Sequence, residues 1–137
     1  MGLIHLDAGV IIGLLDAGDA HHDAASAALA HAQHAGDRFA MAASAFAECL
    51  VGPARRGGRA VEIVEDLFER LPIEIVALDQ DIARAAATLR ARHRALRLPD
   101  AVVIATAARR AADKLITTDR NWPSAKVLKV ELAVVHL

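Results

Sequence analysis

Four acidic residues stand beside apolar segments, where a carboxylate is costly unless something uses it. Asp7 closes the run LIHLD, Asp119 closes LITTD, and Asp100 follows Pro99 at the mouth of AVVIATAA. Glu48 lies in AFAECL, among small and apolar neighbours with no basic residue to pair with along the helix. It falls four residues after Ser44, one too far for a reciprocal capping box. Each acid has a modest explanation alone. Asp7 can cap a following helix, Asp100 suits a first turn beside Pro99 and the helix dipole, Asp119 can make a turn with Arg120 and Asn121, and Glu48 can be a solvated helix residue. Gathered on one edge, however, the four would repel each other and lose hydration without a partner. Oxygen ligands with no clustered cysteine suit a hard divalent ion, Mg²⁺ or Mn²⁺. Asp7, Glu48, Asp100 and Asp119 are therefore one candidate catalytic and metal-binding set.

The elements that must position them alternate between strand and helix. Leu3–Asp7, Arg38–Ser44, Ile73–Leu78 and Leu115–Asp119 read as strands, and VLKVELAVVHL at the end offers one more or two. Asp19 is expected to cap an alanine-rich helix ending near Gly36. Ser44 begins a short helix that stops at Gly52-Pro53, and another runs from about Arg55 to Arg70 with Val61, Val64, Leu67 and Phe68 on one face. Asp79 opens a helix through DIARAAATLRARHRAL, and the Pro99 helix follows. Such alternation predicts a mainly parallel sheet covered on both faces, a three-layer α/β/α sandwich. Function in such sheets gathers beyond the carboxyl ends of the strands, where Asp7 and Asp119 fall.

A chain of 137 residues fits one domain spanning 1–137, and at 55% apolar it has ample core material. No apolar run approaches the ~20 residues that cross a bilayer, and the opening residues lack the basic start of a secretory signal. A lone cysteine, Cys49, forbids an internal disulfide, so a cytoplasmic protein without a membrane role is expected. With a formal charge of −1, nucleic-acid binding must come from local patches. Between Asp81 and Asp100 there is no acid, but there are Arg84, Arg90, Arg92, Arg94 and Arg97. Of these, Arg90, Arg92, Arg94 and Arg97 are candidates for contacting nucleic-acid phosphates around the acidic pocket. Arg55, Arg56 and Arg59 form a smaller cluster. Aromatic residues are only 3%, which argues against base stacking on an aromatic platform. Among the seven histidines, His31 and His34 share a helix face, but no acid or cysteine joins them at ligand spacing. Cys49 reads as a packing residue facing away from the pocket.

The pieces LDAGVIIGLLD, AASAFAECLVG, LRLPDAVVIATAA and LITTDRNW, in this order and together spanning most of the chain, resemble the PIN-domain ribonucleases. Among these, the chain is similar to the small single-domain toxins of bacterial VapBC toxin–antitoxin pairs. The resemblance implies that the four acids hold one or two Mg²⁺ or Mn²⁺ ions, and that the activity is endonucleolytic hydrolysis of RNA by metal-activated water. It implies a cognate antitoxin whose tail covers the pocket, and a homodimer. Two positions depart from the family pattern. Gly9 stands where Ser, Thr or Asn is frequent, and Asn121 where a further acid is frequent. Thr117 and Asn121, with Thr118, remain candidates for hydrogen-bonding support of the acids. Gly9 and Asn121 also leave an alternative open, a catalytically weak or silent PIN-fold module that binds RNA or protein. A phospho-accepting receiver domain fits less well, because it expects an acidic doublet where Asp7 stands alone.

Overall fold

The computed structural model describes residues 1–137. In chain order the elements are β1 (Leu3–Leu6), α1 (Ala8–Leu15), α2 (His22–His34), β2 (Arg38–Ala42), α3 (Ala43–Arg56), α4 (Gly58–Arg70), β3 (Ile73–Val76), α5 (Gln80–Arg92), α6 (Leu98–Arg109), β4 (Lys114–Thr117), α7 (Ala125–Leu128) and β5 (Ala133–His136). The strands form one sheet in the order β3-β2-β1-β4-β5, every pair parallel. With its helices this is the expected α/β/α sandwich.

The strand patterns follow from that arrangement. All four residues of β1 are buried, as a central parallel strand covered on both faces requires. The edge strands β3 and β5 alternate or stay half exposed. Helix α6 is buried from Ala101 through Ala107, so it is apolar all round because it is a core helix. It packs against β2, α3, α5 and β4. The strand order reverses at β1: the chain moves outward through β2 and β3, then returns to place β4 on the other side. That switch point, between the carboxyl ends of β1 and β4, is where a crevice forms.

Several local expectations give way. Helix α3 runs through Pro53 to Arg56 instead of stopping at Gly52-Pro53. Pro53 is buried in the last turn, where the packing of its ring offsets the helical hydrogen bond that its missing N–H forfeits. The real stop is Gly57, whose φ of 120° lies where side chains are disfavoured, and α4 begins at the next residue. Asp19 does not cap α2. Its carboxylate accepts the His21 N–H at 2.8 Å in a tight turn, and the helix starts at His22. Helix α5 is capped by Asp79 as expected, with Ile82 N–H donating at 2.8 Å, but it ends at Arg92. Leu96 turns back to donate to His93 O and is buried, so Arg94 and Arg97 lie in a connecting loop. Near the end, Ser124 caps the short α7, which takes residues expected to be strand, and a single strand β5 follows.

Candidate metal centre at the sheet switch point

Asp7 follows β1 directly and is the N-cap of α1. One of its carboxylate oxygens accepts the Ala8 N–H at 2.9 Å and the other accepts the Thr117 hydroxyl at 2.8 Å. The capping reading of Asp7 is therefore correct, and it does not exclude another role, since each oxygen keeps a lone pair. Thr117, fully buried at the end of β4, also accepts the Asp119 N–H at 3.0 Å. One hydroxyl thus ties the loop carrying Asp119 to the carboxylate of Asp7. Asp119 accepts the Asn121 N–H at 2.8 Å, so it forms the turn its sequence suggests. Asn121 supports it through the backbone.

Glu48 projects from α3 at the exposed rim, and Asp100 is half-buried in the first turn of α6. The electrostatics join the four. Burial raises the Asp7 carboxyl above the ordinary range, opposed by Thr117 and Ala8 and reinforced by the charges of Glu48 and Asp119. Partial burial and then Asp100 raise Glu48. Burial, then Asp7 and Asp119, raise Asp100. The cation that opposes this repulsion at Glu48 and Asp100 is Arg97, from the loop before α6.

The donor set suits a hard divalent cation, which would relieve the repulsion. No three His, Cys, Asp or Glu side chains stand close enough to grip one ion between them. An ion held here would be bound directly by one or two of these carboxylates and would keep several of its waters, as Mg²⁺ does. His31 and His34 are exposed on α2 and take no part in such a cluster.

Of the candidate arginines, Arg97 is the one whose charge acts on the acids, Glu48 and Asp100, without an ion pair to either. Arg92 lies in a groove of about 430 Å³ with Arg84, Arg109 and Lys129, between α5, α6 and the residues after α7. Arg90 and Arg94 are exposed. Arg84 and Arg109 are both engaged by Asp81. Arg56, from the smaller cluster, lines a groove of about 530 Å³ that also contains Glu48, Cys49, Ile12 and Leu15. Cys49 does not face away from the acids. It is buried close enough that burial, with the charges of Asp7 and Glu48, pushes its thiol up to about 12.

Two features escaped the sequence reading. A Cβ on Gly9 would collide with the Thr118 hydroxyl, so glycine there is a consequence of how closely α1 approaches the end of β4. Trp122 is buried, with an indole N–H that lacks a hydrogen-bond partner. A lone tryptophan three residues after a strand-end acid, in a chain without tyrosine, was the available signal for the second.

Comparison with known proteins agrees with this fold. A chain of FitAcB from Neisseria gonorrhoeae superposes with a TM-score of 0.72 at 22% identity, over 97% of this chain and 96% of that one. VapBC-1 from nontypeable Haemophilus influenzae gives 0.71 at 19% identity, over 98% and 97%. VapC20 of Mycobacterium tuberculosis, a toxin that cleaves the Sarcin-Ricin loop, gives 0.65 at 20% identity, over 82% and 86%. A search of curated proteins gave no significant match. The family model of the PIN domain matches residues 4–128, nearly the whole sheet with its helices, and the chain belongs to that family.

Proposed function

We propose that this protein is a Mg²⁺- or Mn²⁺-dependent endoribonuclease and the toxin of a toxin–antitoxin pair. The observation that carries the reading is the placement of Asp7, Glu48, Asp100 and Asp119 around the switch point, where burial first and then their charges on one another raise the carboxyls of Asp7, Glu48 and Asp100. Such repulsion is kept where a cation is to be held. Asp7, Asp100, Asp119 and Glu48 would hold the ion, one or two directly and the others through its waters, and when bound it would supply water activation and charge stabilisation at the phosphate. Thr117 keeps Asp7 and the Asp119 loop in register. Arg97, whose charge acts on Glu48 and Asp100, and Arg56, which shares a groove with Glu48, offer phosphate contacts that offset the pocket's repulsion of RNA. The structural relatives that are toxin–antitoxin assemblies support an antitoxin partner, and the family resemblance supports a homodimer.

The test is cleavage of structured RNA by the purified chain. Cutting that needs Mg²⁺ or Mn²⁺, stops with chelator and is lost in Asp100→Asn supports the proposal. RNA bound but uncut in saturating Mn²⁺ favours the silent binding module, for which Gly9 and Asn121 are the motive.

A further inference from the structure

Trp122 lies between β4 and α7 and is 7% exposed. Its indole N–H is buried and makes no hydrogen bond of ordinary geometry. Buried indoles usually find an acceptor, and leaving such a donor unmatched costs about 1–3 kcal/mol. Phe46 and Phe68, the chain's paired phenylalanines, show that apolar rings can fill its core without a polar atom. The N–H is therefore a feature to be explained separately from the ring. The carboxyl it acts on is Asp100. Two groups favour the charged form of Asp100 against burial and its acidic neighbours, Arg97 and the Trp122 N–H. Arg97 is exposed and long, so it sets charge without fixing orientation. The indole is rigid and walled in, so it can fix orientation.

We propose that Trp122 is a positioning residue: its N–H closes on one oxygen of Asp100 and leaves the other facing the pocket. This rests on the metal-centre reading above. Movement of the Asp100 carboxyl toward the indole would complete the bond. It also satisfies the orphan donor, so the same movement stabilises both partners. Groups that orient a ligating carboxylate in this way commonly alter metal affinity by tenfold or more.

The chain has one tryptophan, so its ¹H–¹⁵N spectrum contains one indole resonance. In metal-free protein, Asp100→Ala should move that resonance upfield and speed its exchange with solvent. Asp100→Asn, which keeps an acceptor oxygen, should do so less and guards against a misfolded alanine variant. Asp113→Asn, at the other end of the sheet, should leave it unchanged. Trp122→Phe should lower Mn²⁺ affinity about tenfold, read from the paramagnetic signal of free Mn²⁺. A resonance indifferent to both Asp100 variants overturns the proposal, as does wild-type Mn²⁺ affinity in a folded Trp122→Phe. A wild type that binds no Mn²⁺ refutes the metal reading, while the resonance still decides whether the indole holds Asp100.

Discussion

The two ends of the sheet both carry aspartates, and they use them in opposite ways. At the amino end, Asp37 accepts the Gly2 N–H and Asp113 accepts the Leu3 N–H, each at 2.7 Å. The strand start is packed so closely on these carboxylates that a Cβ at Gly2 would come within 3.0 Å of Asp113 and 3.2 Å of Asp37. These acids stand in for missing backbone partners, and their charge is absorbed by the donors. At the carboxyl end, acids face acids. Even Asp7, with two donors, is raised by burial and by its neighbours. The presence of acids at a strand end is thus uninformative, whereas the balance between donors supplied and charges gathered separates a structural end from a candidate site.

That contrast can be broken directly. Asp100→Asn should reduce RNA cleavage by two orders of magnitude or more while the melting temperature holds or rises, because a repelling charge is removed. Asp113→Asn should leave cleavage intact and lower stability by about 1–2 kcal/mol, through a weakened bond to Leu3. Cleavage assays and thermal melts on the same two variants would show whether the ends are so divided. Equal effects on both properties would erase the distinction.

Between the two ends, His5 lies in the middle of β1, 1% exposed, with an unpartnered ring nitrogen. Burial, reinforced by Arg110 and opposed by Glu74, lowers it to about 4. The unfolded chain binds this proton at pH 6.5 and the folded chain does not. The associated stability is therefore complete above that pH and is lost on acidification toward 4, by about 3 kcal/mol in total. The raised acids act in the opposite sense, since their repulsion grows as pH climbs from the ordinary carboxylate range through their elevated values. Urea titrations across pH 4 to 7 should show a shallower acid loss in His5→Leu and a steeper one in Asp100→Asn.

Saturating Mn²⁺ should sharpen the contrast further. At a hundredfold excess over its dissociation constant it stabilises the fold by about 2.7 kcal/mol, several degrees in melting temperature. Differential scanning should find that shift in wild type and in a His31→Ala, His34→Ala double variant, and not in Asp100→Asn. The smallest expected effect concerns Gly9. Gly9→Ala should cost about 1–2 kcal/mol by crowding the Thr118 hydroxyl, and adding Thr118→Ala should recover most of it. A double-mutant cycle with no coupling would mean that α1 shifts to make room.

Much of this was readable from the chain because it depends on local pattern. The strands ending at Asp7 and Asp119, the cap at Asp79 and the apolar α6 follow from periodicity and terminal residues. Glu48 stood out because nothing near it in sequence explained a charge there. The misreadings share a cause, which is that distant contacts overrule local rules. Pro53 is tolerated because its ring is buried, and Arg94 leaves the helix because Leu96 folds back into the core. The roles of Asp37 and Asp113 were invisible because their partners are 35 and 110 residues away. The Trp122 N–H belongs to the same class, since its neighbour Asp100 comes from another element.

The bond from Thr117 to Asp7 also spans 110 residues, and β4 pairs with β1 at Leu6 and Ile116. The half of the sheet made by β1, β2 and β3 closes only short loops, whereas docking β4 closes the long one. Closure entropy grows only slowly with loop length, but non-local pairing of this kind delays folding. A nascent or partly folded chain with Asp7 and Glu48 in place still lacks the loop of Asp119 beside them. If β4 docks last, the complete acidic edge exists only in the folded molecule.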